Sequence, residues 1–356
     1  MNTPTVLFLA KYPDSQSIKE GMSQRIHAVD KHFSSFSRAY LSVSFLKNWK
    51  RKVENRGTNI TQYECNFFFH FFFLLSFWRK SKLIYYHSIY NVPATLCFLF
   101  FNSRYTKVVW DVHGAVPEEQ KMSGFNIKST VYNFVERCIF RSADLIIVVT
   151  DALKVHLLEK HKRTKADFFL YPILSNQLKF RNSNNVCSKK TEKLTVIYSG
   201  NTQVWQNVNL MLKVIKQHFS NEINYYLLTG EPESMKLALK EAELANEANI
   251  FVLSVDPSEL EHYYRKAHYG FVLRDDMVVN NVACPTKLVE YMHYGIIPIV
   301  KSERIGDFKK FGYEYISYKD FSMQLPIQKS SVNQKIIDRL IKQNEKVDLS
   351  ILINFL

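Results

Sequence analysis

Residues 270 to 300 read GFVLRDDMVVNNVACPTKLVEYMHYGIIPIV, and this stretch decides the fold. The apolar run Phe271 to Leu273 suits a buried parallel strand, and Ile296 to Val300 suits a second. Between them, Pro285 stands where a first helical turn tolerates a missing N–H, and Gly295 stands where a helix stops in the left-handed conformation. The spacing therefore predicts a helix from Pro285 to Tyr294. Its first turn leaves backbone N–H groups unpaired and carries the positive end of the helix dipole, so it suits a diphosphate without a glycine-rich cradle. Thr286 and Lys287 lie in that turn, and Lys287 adds a full charge. Glu290, three residues on, sets a carboxylate one turn deeper, where it can accept hydrogen bonds from two ribose hydroxyls. Phosphate near the cap and ribose near the carboxylate describe a nucleotide.

Working outward, strand-like runs alternate with helical stretches. Val6 to Ala10, Lys82 to Tyr86, Val108 to Val112 and Leu145 to Thr150 read as strands of a first half, with helices such as Ser23 to Phe33 and Ser129 to Arg141 between them. From Ser175 to Lys193 the chain is polar and without period, as a linker is. A second alternating series follows: Leu194 to Tyr198, Tyr225 to Thr229, Ile250 to Leu253, Gly270 to Leu273 and Ile296 to Val300. The expected fold is α/β, with two doubly wound Rossmann-like domains (1–175 and 194–325) facing a cleft, and a helical tail over 326–356.

The motif PTKLVEYMHYGIIPIV resembles the C-terminal domain of the GT-B glycosyltransferases, specifically the family 4 type found in bacterial capsule and O-antigen clusters. That resemblance implies that Glu290 binds the nucleotide ribose, that Lys287 lies beside the donor phosphates, and that the C-terminal helices cross back to the first domain. After Tyr198, Ser199, Gly200 and Asn201, where the family carries an arginine and then a lysine on the diphosphate, this chain reads NTQVWQN, with no cation. Lys287 and Arg274 are left to meet the phosphate charge. The family's first glutamate is also replaced, by Val282.

In VVWDVHGAVPEE, Asp111 and His113 fall at the carboxyl end of a predicted strand, the rim where such sheets bind ligands. His113 is the candidate for the reacting centre, where an imidazole can hydrogen-bond a sugar hydroxyl; the bland alternative is a histidine satisfied by Asp111. Glu119 is a candidate base or acceptor ligand. Gly21 opens a helix start where backbone can approach the donor, and Arg25, one turn on, is expected at a phosphate or acceptor. Asp111 and His113 also suggest a metal pair, but no further ligands accompany them in the sequence, and Asp275 and Asp276 read as loop acids. No metal and no other cofactor is expected.

Composition narrows the partners. The chain has 356 residues, 46% of them hydrophobic, enough for two ordinary cores. Its net charge of +14 is uneven: residues 1 to 174 hold 24 Lys/Arg against 13 Asp/Glu, and residues 175 to 356 hold 23 against 20. A basic first half suits an anionic lipid surface or an anionic substrate, and no nucleic-acid-binding signature accompanies it. The run NFFFHFFFLLSFW at 66 to 78 is too short to span hydrocarbon and ends in Trp78, Arg79 and Lys80, so it reads as partly buried and partly interfacial. Residues 5 to 10 read as a strand and not as a signal peptide, and five scattered cysteines fit a reducing cytosol. The expectation is a cytoplasmic enzyme, peripheral on the inner face of the membrane, that moves a sugar from a UDP or GDP donor to a lipid-linked or polysaccharide acceptor, with the retention of configuration that the family resemblance implies. A sugar-nucleotide 2-epimerase of the same fold and a non-catalytic nucleotide-binding partner are the alternatives.

Overall fold

The computed structural model describes residues 4–13, 21–101, 105–174, 178 and 193–350. Most of the expected linker, Cys187 and the end of the apolar tail lie outside the described residues. The chain forms two compact units, the first made of residues up to Pro172 together with the chain from Lys346 onward, the second of Ile173–Glu345.

The first unit holds β1 (Val6–Leu9), α1 (Gly21–Lys31), β2 (Arg38–Ser44), β3 (Lys52–Gly57), β4 (Ile60–Asn66), α2 (Phe71–Lys80), β5 (Leu83–His87), β6 (Lys107–Val112), α3 (Val116–Met122), α4 (Asn126–Ser142), β7 (Leu145–Val148), α5 (Asp151–His161) and β8 (Asp167–Leu170). Its sheet runs β3-β4-β2-β1-β5-β6-β7-β8 and is parallel except where β3 pairs antiparallel with β4. The sequence pattern picks out β1, β5, β6 and β7 because these strands carry runs of buried apolar residues, interrupted only by Lys107 and Asp111 in β6 and ended by His87 in β5. It does not pick out β2, β3, β4 or β8; in β3 the single apolar residue, Val53, is exposed among polar neighbours at the edge and carries little signal. Val347 and Leu349 pack into the same core as Phe8, Val29 and Phe33.

The second unit holds β9 (Leu194–Ser199), α6 (Val208–Gln217), β10 (Ile223–Leu228), α7 (Pro232–Glu241), β11 (Ile250–Leu253), α8 (Leu260–Lys266), β12 (Tyr269–Val272), α9 (Val278–Asn281), α10 (Thr286–His293), β13 (Ile297–Val300), α11 (Phe308–Phe311), β14 (Ile316–Ser317) and α12 (Ser331–Glu345). Every strand pair in its sheet, β11-β10-β9-β12-β13-β14, is parallel. The strand order reverses at β9, so the crevice beyond the carboxyl ends of β9, β10 and β12 is where an open α/β sheet takes a ligand. α12 lies against α10, burying Ile336, Ile337, Leu340 and Ile341.

The segment quoted at the outset folds as β12, α9, α10 and β13. Pro285 is the residue before α10, extended at φ −71°, ψ 123°, and not its first helical residue. At the other end Gly295 has φ +70°, its N–H donating to the Met292 carbonyl while that of Ile296 donates to Tyr291, a Schellman stop that turns the chain into β13. Gly270 on β12 explains how close the helix lies: a Cβ there would meet the Tyr291 ring at 2.4 Å. With no side chain at Gly270, Tyr291 reaches across the sheet and its hydroxyl accepts the Ser199 N–H at 2.8 Å.

Candidate nucleotide site

A pocket of about 320 Å³ opens in the second unit at that switch point. β9 contributes Ser199, with Gly200 and Asn201 just beyond it; β10 leads to Thr229 and Gly230; Arg274 follows β12; and the start of α10 brings Pro285, Thr286, Lys287 and Glu290. Among the described residues no side chain caps α10, so its leading N–H groups and the positive end of its dipole face the ligand space.

The charged groups in this pocket are under-compensated, with Lys287 buried and Arg274 and Glu290 half-buried. Lys287 Nζ donates to Gln206 Oε1 at 2.9 Å and rests 4.1 Å from the centre of the Tyr198 ring. Burial, and then the neighbouring Arg274, hold its ammonium well below the usual lysine range. Arg274 Nη1 reaches Asn280 Oδ1 at 3.3 Å, its Nε has no partner among the described residues, and burial lowers its basicity too. Glu290 Oε2 accepts from the Tyr264 hydroxyl at 2.9 Å, and among the described residues no side chain donates to Oε1. Burial pushes the Glu290 carboxyl up to about 7, against the opposing pull of Tyr264 and Lys287. Two desolvated cations and one carboxylate with a vacant oxygen form a site whose charges a phosphate and a pair of hydroxyls would satisfy.

A second ionisable cluster sits in the first unit at the carboxyl ends of β5 and β6. Arg25 grips Asp111 with two N–H groups, Nε to Oδ2 at 3.0 Å and Nη2 to Oδ1 at 2.7 Å, and donates from Nη1 to the Tyr171 carbonyl at 2.7 Å. Tyr85 adds a hydroxyl to Oδ2 at 2.8 Å. His113 Nε2 stands 3.0 Å from the same oxygen without hydrogen-bond geometry. His87 packs its ring 4.5 Å from that of His113, with Nε2 at 3.0 Å from the Met22 carbonyl. Burial alone would raise the Asp111 carboxyl, but Arg25 and His113 outweigh it and hold it well below the usual range.

No protein-family model matches the sequence, and no curated protein matches it. Solved structures do match. An Anabaena HepE in complex with UDP is similar at TM-score 0.67 and 11% identity, over 99% of this chain and 100% of that one. Trehalose-6-phosphate synthase OtsA is similar at TM-score 0.62 and 10% identity (98% and 97%), and a related structure from E. coli is bound with UDP-2-fluoro glucose. Sucrose-phosphate synthase from Thermosynechococcus elongatus is similar at TM-score 0.53 and 13% identity (96% and 90%). The fold is GT-B.

Within this GT-B fold the expected residues separate into groups. Gly200, Asn201, Arg274, Pro285, Thr286, Lys287 and Glu290 line one pocket. Asp111, His113 and Arg25 meet in the first unit. Arg25, expected at a phosphate or acceptor, is instead turned inward onto Asp111, because a buried carboxylate draws the nearest guanidinium. Gly21 is the first residue of α1. Glu119 lies half-buried on α3, its carboxyl raised by burial. The reading that no third ligand accompanies Asp111 and His113 is corrected by His87, whose ring nitrogen falls within 4.8 Å of theirs. A guanidinium already neutralises Asp111, so the three make a poor cation site. His87, Tyr264 and Gln206 were not singled out as site residues. A histidine ending a strand, a tyrosine in a short helix and a glutamine in NTQVWQN carry no spacing signal; only the topology brings them in.

Proposed function

We propose that this protein is a glycosyltransferase that transfers a sugar from a UDP-sugar to a lipid-linked glycan at the cytoplasmic face of a membrane. The observation that carries the reading is the pocket at α10, with Lys287 and Arg274 desolvated beside an uncapped helix start and Glu290 held by Tyr264 one turn deeper. Two of the similar structures hold UDP or a UDP-sugar, which favours uridine as the base. The donor diphosphate would lie against the α10 N–H groups, Lys287 and Arg274, and the ribose hydroxyls would donate to Glu290.

In a retaining path the bond from the anomeric carbon to the β-phosphate oxygen breaks, and the acceptor oxygen bonds to that carbon on the same face. The acceptor's proton passes to the leaving phosphate. Lys287, Arg274 and the helix dipole stabilise the charge that grows there, so the protein supplies electrostatics and no covalent intermediate. His113, at the end of β6 beside Asp111, is proposed to hold a sugar hydroxyl near the reacting carbon. The basic first half, at 24 cations to 13 acids, suits a membrane surface carrying an acceptor diphosphate.

Thermal shift with UDP-, GDP- and ADP-sugars tests the donor assignment. A UDP-sugar is expected to stabilise the wild type, and Glu290→Ala to abolish most of the shift, since hydrogen bonds to a charged group contribute about 1.5–3 kcal/mol. Equal shifts in both proteins sink the ribose role; no shift with any nucleotide sugar sinks the transferase reading.

A further inference from the structure

α4 presents apolar side chains on two opposite faces. One face is ordinary: Val135, Ile139 and Phe140 are buried against the first unit. The other carries Ile127, Val131 and Phe134, spaced as i, i+4 and i+7 along one stripe, and they are 83%, 50% and 60% exposed. Phe125, just before the helix, is 51% exposed. A surface helix normally turns polar residues outward, so an apolar outer stripe marks a contact.

Charge says what the contact is. Every exposed ionisable residue from Lys121 to Arg141 is basic: Lys121, Lys128, Arg137 and Arg141. Glu136 is buried on Lys160 and His161, while the α3 acids sit earlier in the chain, Glu118 paired with Lys160. On a helical wheel Lys128 falls on one flank of the stripe and Arg137 and Arg141 on the other. Lys128 Nζ also lies 4.5 Å from the centre of the Phe125 ring, keeping the cation beside the apolar wedge. Next to α4, residues Pro93–Phe101 contact both it and α2 and expose Phe100 and Phe101. Between Glu64 and Asp111 the sequence contains no acid at all.

We infer that the outer face of α4 and the turn before it form a docking surface for anionic lipid, with the Phe125, Ile127, Val131 and Phe134 side chains in the headgroup boundary and the flanking cations on lipid phosphates. A second copy of the chain fits worse, because a two-fold contact through this stripe would bring like cations together. The inference deepens the membrane part of the proposed function by naming the element that makes contact, and it does not depend on the donor.

The test is co-sedimentation of the full chain with phosphatidylcholine vesicles and with mixed phosphatidylcholine/phosphatidylglycerol vesicles. Wild type is expected to bind the mixed vesicles preferentially. Ile127→Ser/Phe134→Ser should lower that partition by about tenfold or more, since two large side chains leave the apolar boundary. Lys128→Glu/Arg141→Glu should remove the preference for the anionic lipid. An unchanged UDP-sugar thermal shift in both variants would show that they are folded. Variant partition equal to wild type overturns the assignment to α4. Failure of wild type to bind either vesicle overturns direct docking on lipid. Vesicle binding without any nucleotide-sugar shift would break the donor reading and leave this one standing.

Discussion

Both units bury cations beside carboxylates at the carboxyl ends of parallel strands, yet the two clusters are in opposite states. In the first unit, Asp111 receives two N–H groups from Arg25 and the Tyr85 hydroxyl, and its charge is balanced where it stands. In the second, Lys287 and Arg274 face one carboxylate, Arg274 keeps an unpartnered Nε, and burial depresses both cations. A balanced buried pair is already paid for by its own geometry and acts as scaffold. An unbalanced one is held in place by the fold around it and gains most when an anion arrives. The same ingredients thus separate a structural joint from a binding site, and the count of satisfied hydrogen bonds tells them apart.

The largest expected effect tests this contrast by making the same kind of change in both places. Arg25→Met leaves the fully buried Asp111 carboxylate without its partner, and should lower the unfolding free energy of the first unit by about 3–5 kcal/mol in urea denaturation. Lys287→Met removes a cation that burial already disfavours, so stability should change by less than about 1 kcal/mol while UDP-sugar affinity falls by about 10- to 100-fold in calorimetric titration. If both substitutions destabilise alike, the two clusters are equivalent and the comparison is broken. If Lys287→Met leaves affinity intact, the phosphate assignment goes with it.

Sequence carried the second unit further than the first, for physical reasons. β12, α10 and β13 are written in apolar runs, a proline before the helix and a glycine after it, and Lys287 and Glu290 fall on one helix whose periodicity places them together. The differences are small: Pro285 precedes the helix instead of opening it, Tyr294 caps its end, and the short α9 stands where a loop is read. In the first unit the edge strand β3 is polar except for the exposed Val53, so no alternation marks it. Arg25 and Asp111 are 86 residues apart, and nothing local in either stretch shows that they touch. Tyr264 was unreadable for the same reason: its role comes from α8 and α10 packing until its hydroxyl meets Glu290. Long-range pairing is where pattern reading stops.

A smaller effect sharpens the contrast through pH. Burial raises the Glu290 carboxyl to about 7, so in the free protein the protonated form is favoured by the fold. That contribution to stability is complete below the ordinary glutamate range, near pH 4.5, and is lost as pH rises towards about 7. Binding should run the other way, because ribose hydroxyls donate to the carboxylate, and only the ionised group is a pure acceptor. UDP-sugar affinity should therefore strengthen by about tenfold between about pH 6 and about pH 8. A nucleotide sugar is the right probe, since its diphosphate diester has no proton to exchange in that window. Tyr264 stays a neutral donor throughout, its hydroxyl raised well above its usual range by burial and Glu290. Glu290→Gln should flatten the profile, and Lys287→Met should lower affinity at every pH. A profile that keeps its slope in Glu290→Gln would assign the titration to another group, and would remove from the second unit the imbalance that distinguishes it from the Arg25–Asp111 joint.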